Sequence, residues 1–64
     1  MLTPKSIDKG FIVIYNDGPM AGCNAVPGAS IFPTQAHAEI AIYVMGRVDL
    51  FDFQEAYEAA ITVH

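Results

Sequence analysis

The sequence predicts a small α/β (α+β) domain, with one or two strands packed against two main helices and the whole oligomeric. Three observations predict it. Residues 11–16 are rich in β-branched and aromatic side chains and closed by Asp17, Gly18 and Pro19, the pattern of a strand that ends in a turn. Thr34 precedes a stretch that stops at Gly46, and Asp52 precedes a second stretch whose apolar residues recur at three- and four-residue steps, the pattern of two helices with start and stop signals. Apolar residues make up 53% of the chain and charged residues only 16%, a larger apolar share than so short a chain can readily hide.

Taken in chain order, Thr3 before Pro4 has the form of an N-cap followed by proline at the first helical position, and Gly10 is a stop. Residues 4–9 therefore read as a short helical turn. On the strand at 11–16, Phe11, Val13 and Tyr15 point one way and Ile12, Ile14 and Asn16 the other. Residues 17–30 are rich in glycine and proline and carry no charge after Asp17, so they read as an ordered loop. Ser30, Ile31 and Phe32 form a short extended piece that returns beside the first strand.

Thr34 is then the N-cap of a helix over 35–45 with Gly46 at its end. A strand over 40–45 competes, because Ile40, Ile42 and Val44 alternate and are β-branched, but length and the cap favour helix. The last element is an amphipathic helix over 53–62. Asp52 and Glu55 form an acidic capping arrangement at its start. Phe53, Ala56, Tyr57, Ala60, Ile61 and His64 give its core face, while Glu55, Glu58 and Thr62 lie off it.

Separate cores need about 50 residues or more apiece, so residues 1–64 read as a single compact domain. Burial of apolar surface contributes roughly 90 kcal/mol, and ordering the chain costs about 96 kcal/mol. A lone copy is marginal on those terms, and one cysteine provides no internal disulfide. Residues 40–45 contain no charged or amide side chain, so as helix or as strand the segment predicts cover from outside the chain. The expectation is a homodimer or higher oligomer, or a complex with another protein, with Ile40, Tyr43, Val44 and Met45 carrying self-association.

A net charge of −4 and a pI near 4.6 speak against direct nucleic-acid binding and against anionic membranes, and Lys5, Lys9 and Arg47 make no patch. The first ten residues carry Lys5, Asp8 and Lys9, unlike a signal peptide. The uncharged stretch over 18–38 is broken by Pro19, Gly22, Asn24, Pro27, Gly28 and Pro33, unlike a membrane span. With one cysteine and no targeting segment, the cytoplasm is the default compartment.

Candidate chemistry is sparse. Cys23 and His37 could pair as thiol and base but have no spacing signature, and a small cysteine is ordinarily a packing residue. A metal site would have to gather Cys23, His37, Glu39 and His64, yet on a helix His37 and Glu39 diverge by about 200°. Gly18, Gly22 and Gly28 match no phosphate-loop motif. Their loop could still form a backbone nest for an anion around Gly22, Cys23 and Asn24. Tyr15, Tyr43 and Tyr57 could stack on a base but suit a core with a wet hydroxyl better. Asp49, Asp52, Glu55 and Glu58 are spaced three apart. On a helix starting at Asp49 they would form a slowly spiralling acidic ridge able to meet a basic partner, or else a solvated face.

The function expected is that of a small acidic binding protein acting by protein–protein contact. Its size and acidity suit a phage or mobile-element inhibitor of a host protein. It is read as no enzyme, with no cofactor, the partner contact lying on Asp49, Asp52, Glu55 and Glu58. The alternative is an oligomeric binder or sponge for a nucleotide-like small ligand, with Gly22, Cys23 and Asn24 at a subunit junction.

Overall fold

The computed structural model describes residues 1–26, 28 and 30–63. Two strands are followed by two helices: β1, Leu2–Ile7; β2, Gly10–Tyr15; α1, Gln35–Met45; and α2, Phe53–Val63. The strands pair antiparallel and α1 packs across both, with α2 laid against α1. The result is a small α+β domain. His64, expected on the core face of α2, lies outside the described residues, as does Pro27 in the loop.

The helical turn expected over 4–9 is instead β1. Pro4 opens a helix only if the following residues sustain one, and a single turn bears the full nucleation cost. Thr3, restricted to extended backbone by the proline after it, enters a ladder that pairs Leu2 with Tyr15 through to Ile7 with Gly10. The missing N–H of Pro4 does no harm there. The Asn16 amide donates to the Met1 carbonyl (3.1 Å), so odd positions of this end of the chain bond to β2 and even positions face outward. Pro4 therefore stands on the free edge of β1, where it blocks further strand pairing.

The opposite edge of β2 is also used. Phe11 and Phe32 exchange both backbone hydrogen bonds (2.8 and 2.7 Å), the Ala25 amide donates to Val13 (2.8 Å), and the Tyr15 amide donates to Cys23 (3.1 Å). The expected return of 30–32 beside the strand thus occurs. It is preceded by a second contact at Asn24, which bridges Ile14. Gly10 sits at φ +144°, and a Cβ there would lie 2.4 Å from the Phe32 carbonyl oxygen. Glycine at this position is a condition for the close approach.

Phe11, Val13 and Tyr15 face the helices as their alternation predicts, with Val13 fully buried. Ala38 and Ala41 meet the sheet, and their small side chains let α1 lie close to it. Phe32 enters the core and stands edge-on to Tyr57 (5.4 Å between ring centres), while Phe53 stacks on Tyr57 one helical turn away (5.8 Å). These three rings tie α2 to the edge of the sheet. Ile12 and Ile14 point to the other face, which no helix covers.

Helix is the state of residues 35–45, with Thr34 Oγ1 accepting from the His37 amide (3.2 Å). Gly46 ends α1 in the right-handed region (φ −82°), its N–H shared between the Ile42 and Tyr43 carbonyls. A partly wet face exists on 40–45 after all. Val44 is 6% exposed and Ala41 buried, Ile40, Ile42 and Met45 are half-buried, and Tyr43 is 55% exposed. Before α2, the Asp52 amide donates to both Oδ1 and the carbonyl of Asp49 (3.2 Å each), making a turn that launches the helix at Phe53.

Two predictions follow from this packing. Gly10→Ala forces a side chain into the Phe32 carbonyl at a backbone angle that L-residues avoid, and is expected to cost roughly 1–3 kcal/mol. Phe53→Ala removes the buried ring that stacks on Tyr57 at about 3–5 kcal/mol, enough to unfold a domain of this size. Urea titration of both variants checks them; a Gly10→Ala midpoint equal to the parent's would show that the approach is not tight. Burial also holds the Tyr57 hydroxyl above its ordinary pKa of 10.0. Because the folded-state value is the higher one, this contribution is present below pH 10 and is lost as pH rises through the folded value. Urea midpoints should therefore fall above about pH 10, and less steeply in Tyr57→Phe.

Candidate functional site

Where α1 and α2 diverge, a groove of about 620 Å³ opens between them. Its origin is a mismatch of side-chain size. α2 contributes Ala56 and Ala60, one turn apart and too short to reach α1, while α1 contributes Ile40, Tyr43 and the buried Val44. Val48 from the connection closes one end. The walls are apolar, and the charged groups at the rim are Glu39 and Arg47. The Arg47 guanidinium lies 4.9 Å from the centre of the Tyr43 ring, a cation–π contact that holds the tyrosine at the groove's mouth.

The connection that supplies Val48 to the groove also carries Leu50 and Phe51, exposed at 61% and 96%. Both belong to the segment between Gly46 and Phe53, too short to fold back over its own apolar residues. An aromatic ring held almost wholly in water is the principal irregularity of this surface.

Of the residues expected to carry self-association, Ile40, Tyr43 and Val44 are brought together in this groove, with Val44 as its floor. Met45 is directed to the core instead. The acidic residues do not form the ridge drawn for a helix beginning at Asp49, because α2 begins at Phe53. Asp49 and Asp52 bracket the exposed turn. Asp52 and Glu55 line a shallower hollow of about 350 Å³ with Val48, Ala56 and Ala59. Glu58 is exposed, and its carbonyl accepts from the Thr62 hydroxyl (2.7 Å).

Several amides around Gly22, Cys23 and Asn24 are taken up within the fold. The amides of Ala21, Gly22, Cys23 and Ala25 donate to carbonyls of the loop and of β2, and the Val26 amide donates to Asn24 Oδ1 (2.9 Å). Cys23 is an exposed free thiol. His37 Nδ1 lies 2.7 Å from Thr34 Oγ1, within the first turn of α1. Among the described residues no three His, Cys, Asp or Glu side chains converge, and His64 lies outside them. No helix among the described residues is long and apolar enough to cross a membrane.

Leu50 and Phe51 are the site residues that sequence reasoning missed, along with Ala56 and Ala60 as the cause of the gap. A signal exists in retrospect. Leu-Phe stands between Asp49 and Asp52, and an apolar pair fenced by carboxylates outside any periodic pattern is a pair with no inward face to occupy. Comparison with protein-family models, with curated proteins and with solved structures finds no match to this chain.

Proposed function

We propose that this chain is a small acidic binding protein that acts by protein–protein contact, with the α1–α2 groove and the adjoining Leu50 and Phe51 as its contact surface. The observation that carries this reading is Phe51, 96% exposed on the connection whose Val48 lines the trough with Ile40 and Tyr43. An exposed aromatic anchor next to an apolar pocket is the anatomy of an interface hot spot. Leaving that ring in water forgoes about 1.5–3 kcal/mol that burial against a partner would supply. Asp52 and Glu55 line the neighbouring hollow that shares Val48 and Ala56 with the groove, and favour encounter with basic groups. In this reading the chain works by occupying another molecule's surface, as an inhibitor or adaptor does.

A second reading is a small apolar ligand held in the same groove, whose volume of about 620 Å³ falls within the range of such sites. Its place in this reading is between the helices rather than at Gly22 and Cys23, whose amides donate to the Tyr15 and Met20 carbonyls.

Tyr43→Asp and Phe51→Asp test the contact surface, with Ser6→Asp on the exposed part of β1 as the control. All three positions are solvent-facing, so urea midpoints should change little. Retention of protein, the chain's own copies included, on the immobilised chain is expected to weaken about tenfold or more for Tyr43→Asp and Phe51→Asp, and to survive Ser6→Asp. Retention that ignores both groove-side substitutions would overturn the reading.

A further inference from the structure

We infer that the partner docked in the α1–α2 groove is an amphipathic helix, lying antiparallel to α1 with its acidic first turn at Arg47 and its basic last turn at Glu39. This rests on the protein-contact reading above and names the kind of partner. The first argument is the form of the walls. Each lining residue belongs to a row of residues four apart. Glu39, Tyr43 and Arg47 make one row, Ile40, Val44 and Val48 the next, and α2 supplies Ala56 and Ala60. The Val48 amide donates to the Val44 carbonyl (3.1 Å), so the turn continues past the end of α1 to the last of them. Rows of this spacing are the ridges between which another helix seats its own, and alanine on the α2 side lets that helix approach closely.

The second argument is length. From Ile40 to Val48 is eight residues, about 12 Å of helical rise. The anchors of a groove-bound helix recur at i, i+4 and i+7, about 10.5 Å from first to last. Two turns of a partner helix therefore match the trough, with Val44 as its floor and the half-buried Ile40 and Val48 offering apolar surface at its two ends.

The third argument is charge. The same eight-residue step separates Glu39 from Arg47, so the rim is negative at one end and positive at the other. Among the described residues neither takes an oppositely charged side chain, and Arg47 rests on the Tyr43 ring. A helix matches both signs at once, because acids favour its first turn and bases its last. Laid antiparallel to α1, it brings carboxylates to Arg47 and ammonium groups to Glu39.

The probe is a dye-labelled designed helix of about 14 residues, with leucines at i, i+4 and i+7, glutamates in its first turn and lysines in its last. Fluorescence anisotropy follows its titration with the full chain, in reductant because Cys23 is exposed. Saturable binding is expected with a dissociation constant below about 100 µM, and none for a peptide of the same composition with its leucines dispersed around the helix. Ala60→Leu fills the trough and should weaken binding about tenfold or more. Arg47→Glu should weaken it about two- to fivefold, and a peptide carrying lysines in place of its glutamates should recover that loss. Circular dichroism keeps misfolding of the variants apart from lost binding. No saturation up to about 1 mM, or binding that ignores both the leucine positions and Ala60→Leu, overturns the helix assignment. So does saturable binding of decanol without binding of peptide, or a dimer of the chain alone that Ala60→Leu dissociates in sedimentation equilibrium, since each gives the groove to another occupant. If no peptide binds and Tyr43→Asp still weakens retention of protein, the contact surface stands and only its occupant was wrong. If neither responds, both readings fall.

Discussion

The reciprocal hydrogen bonds between Phe11 and Phe32, 2.8 and 2.7 Å long, set the position of everything that follows them in the chain. Pairing puts the two side chains on the same face of the sheet. Phe32 is thereby driven inward, where its ring meets Tyr57. Two residues later Thr34 caps α1, so the helix starts at a fixed distance from the sheet edge and in a fixed direction. Gly10 permits the approach, because any side chain at that point would occupy the space of the Phe32 carbonyl. A local backbone contact thus determines how the helices sit over β2 and, through Tyr57 and Phe53, where α2 can lie.

Alanine has two opposite effects in this arrangement. Ala38 and Ala41 are buried and bring α1 close to the sheet, so small size there tightens the packing. Ala56 and Ala60 face α1 across a gap that they do not fill, and small size there leaves a groove. The difference is the partner. Val13 and its neighbours on β2 pack with the first pair, whereas Ile40 and Tyr43 of α1 line the groove with the second. Apolar excess in the composition therefore appears in part as the trough between the helices and in part as the exposed Leu50 and Phe51.

Much of the fold was legible in the sequence because its signals are local. The β-branched run of β2, the threonine cap of α1, the return of Phe32 and the three-and-four spacing of Phe53, Ala56, Tyr57 and Ala60 depend on residues close in the chain. β1 was not legible. Thr3-Pro4 satisfies the opening of a helix equally well, and only the ladder with β2 decides between the two. The site was legible in part. Ile40, Tyr43 and Val44 could be chosen by the lack of charge around them, but their division into floor, wall and mouth depends on how α2 crosses, which is a tertiary fact. The even spacing of Asp49, Asp52, Glu55 and Glu58 suggested a ridge, and the later start of α2 dissolves it.

The uncovered face of the sheet is the natural rival to the helical face as a contact surface, since Ile7, Ile12 and Ile14 lie on it and Ile31 is half in water beside it. Its chemistry differs in one respect that matters. These isoleucines are half-buried already, because β-branched neighbours on adjacent strands shield one another. Lys5 stands in register with Ile12, where its alkyl stem can cover apolar surface while the ammonium stays in water. Further strand addition at the β1 edge is blocked by Pro4. Phe51 has neither kind of protection: no side chain lies over it, and the residues that bracket it are acidic. Desolvating a ring that is wholly in water gains more per residue than completing the burial of one already half covered. The contact that removes the most apolar surface per residue is therefore one made by the turn between the helices, whose Val48 also lines the apolar groove.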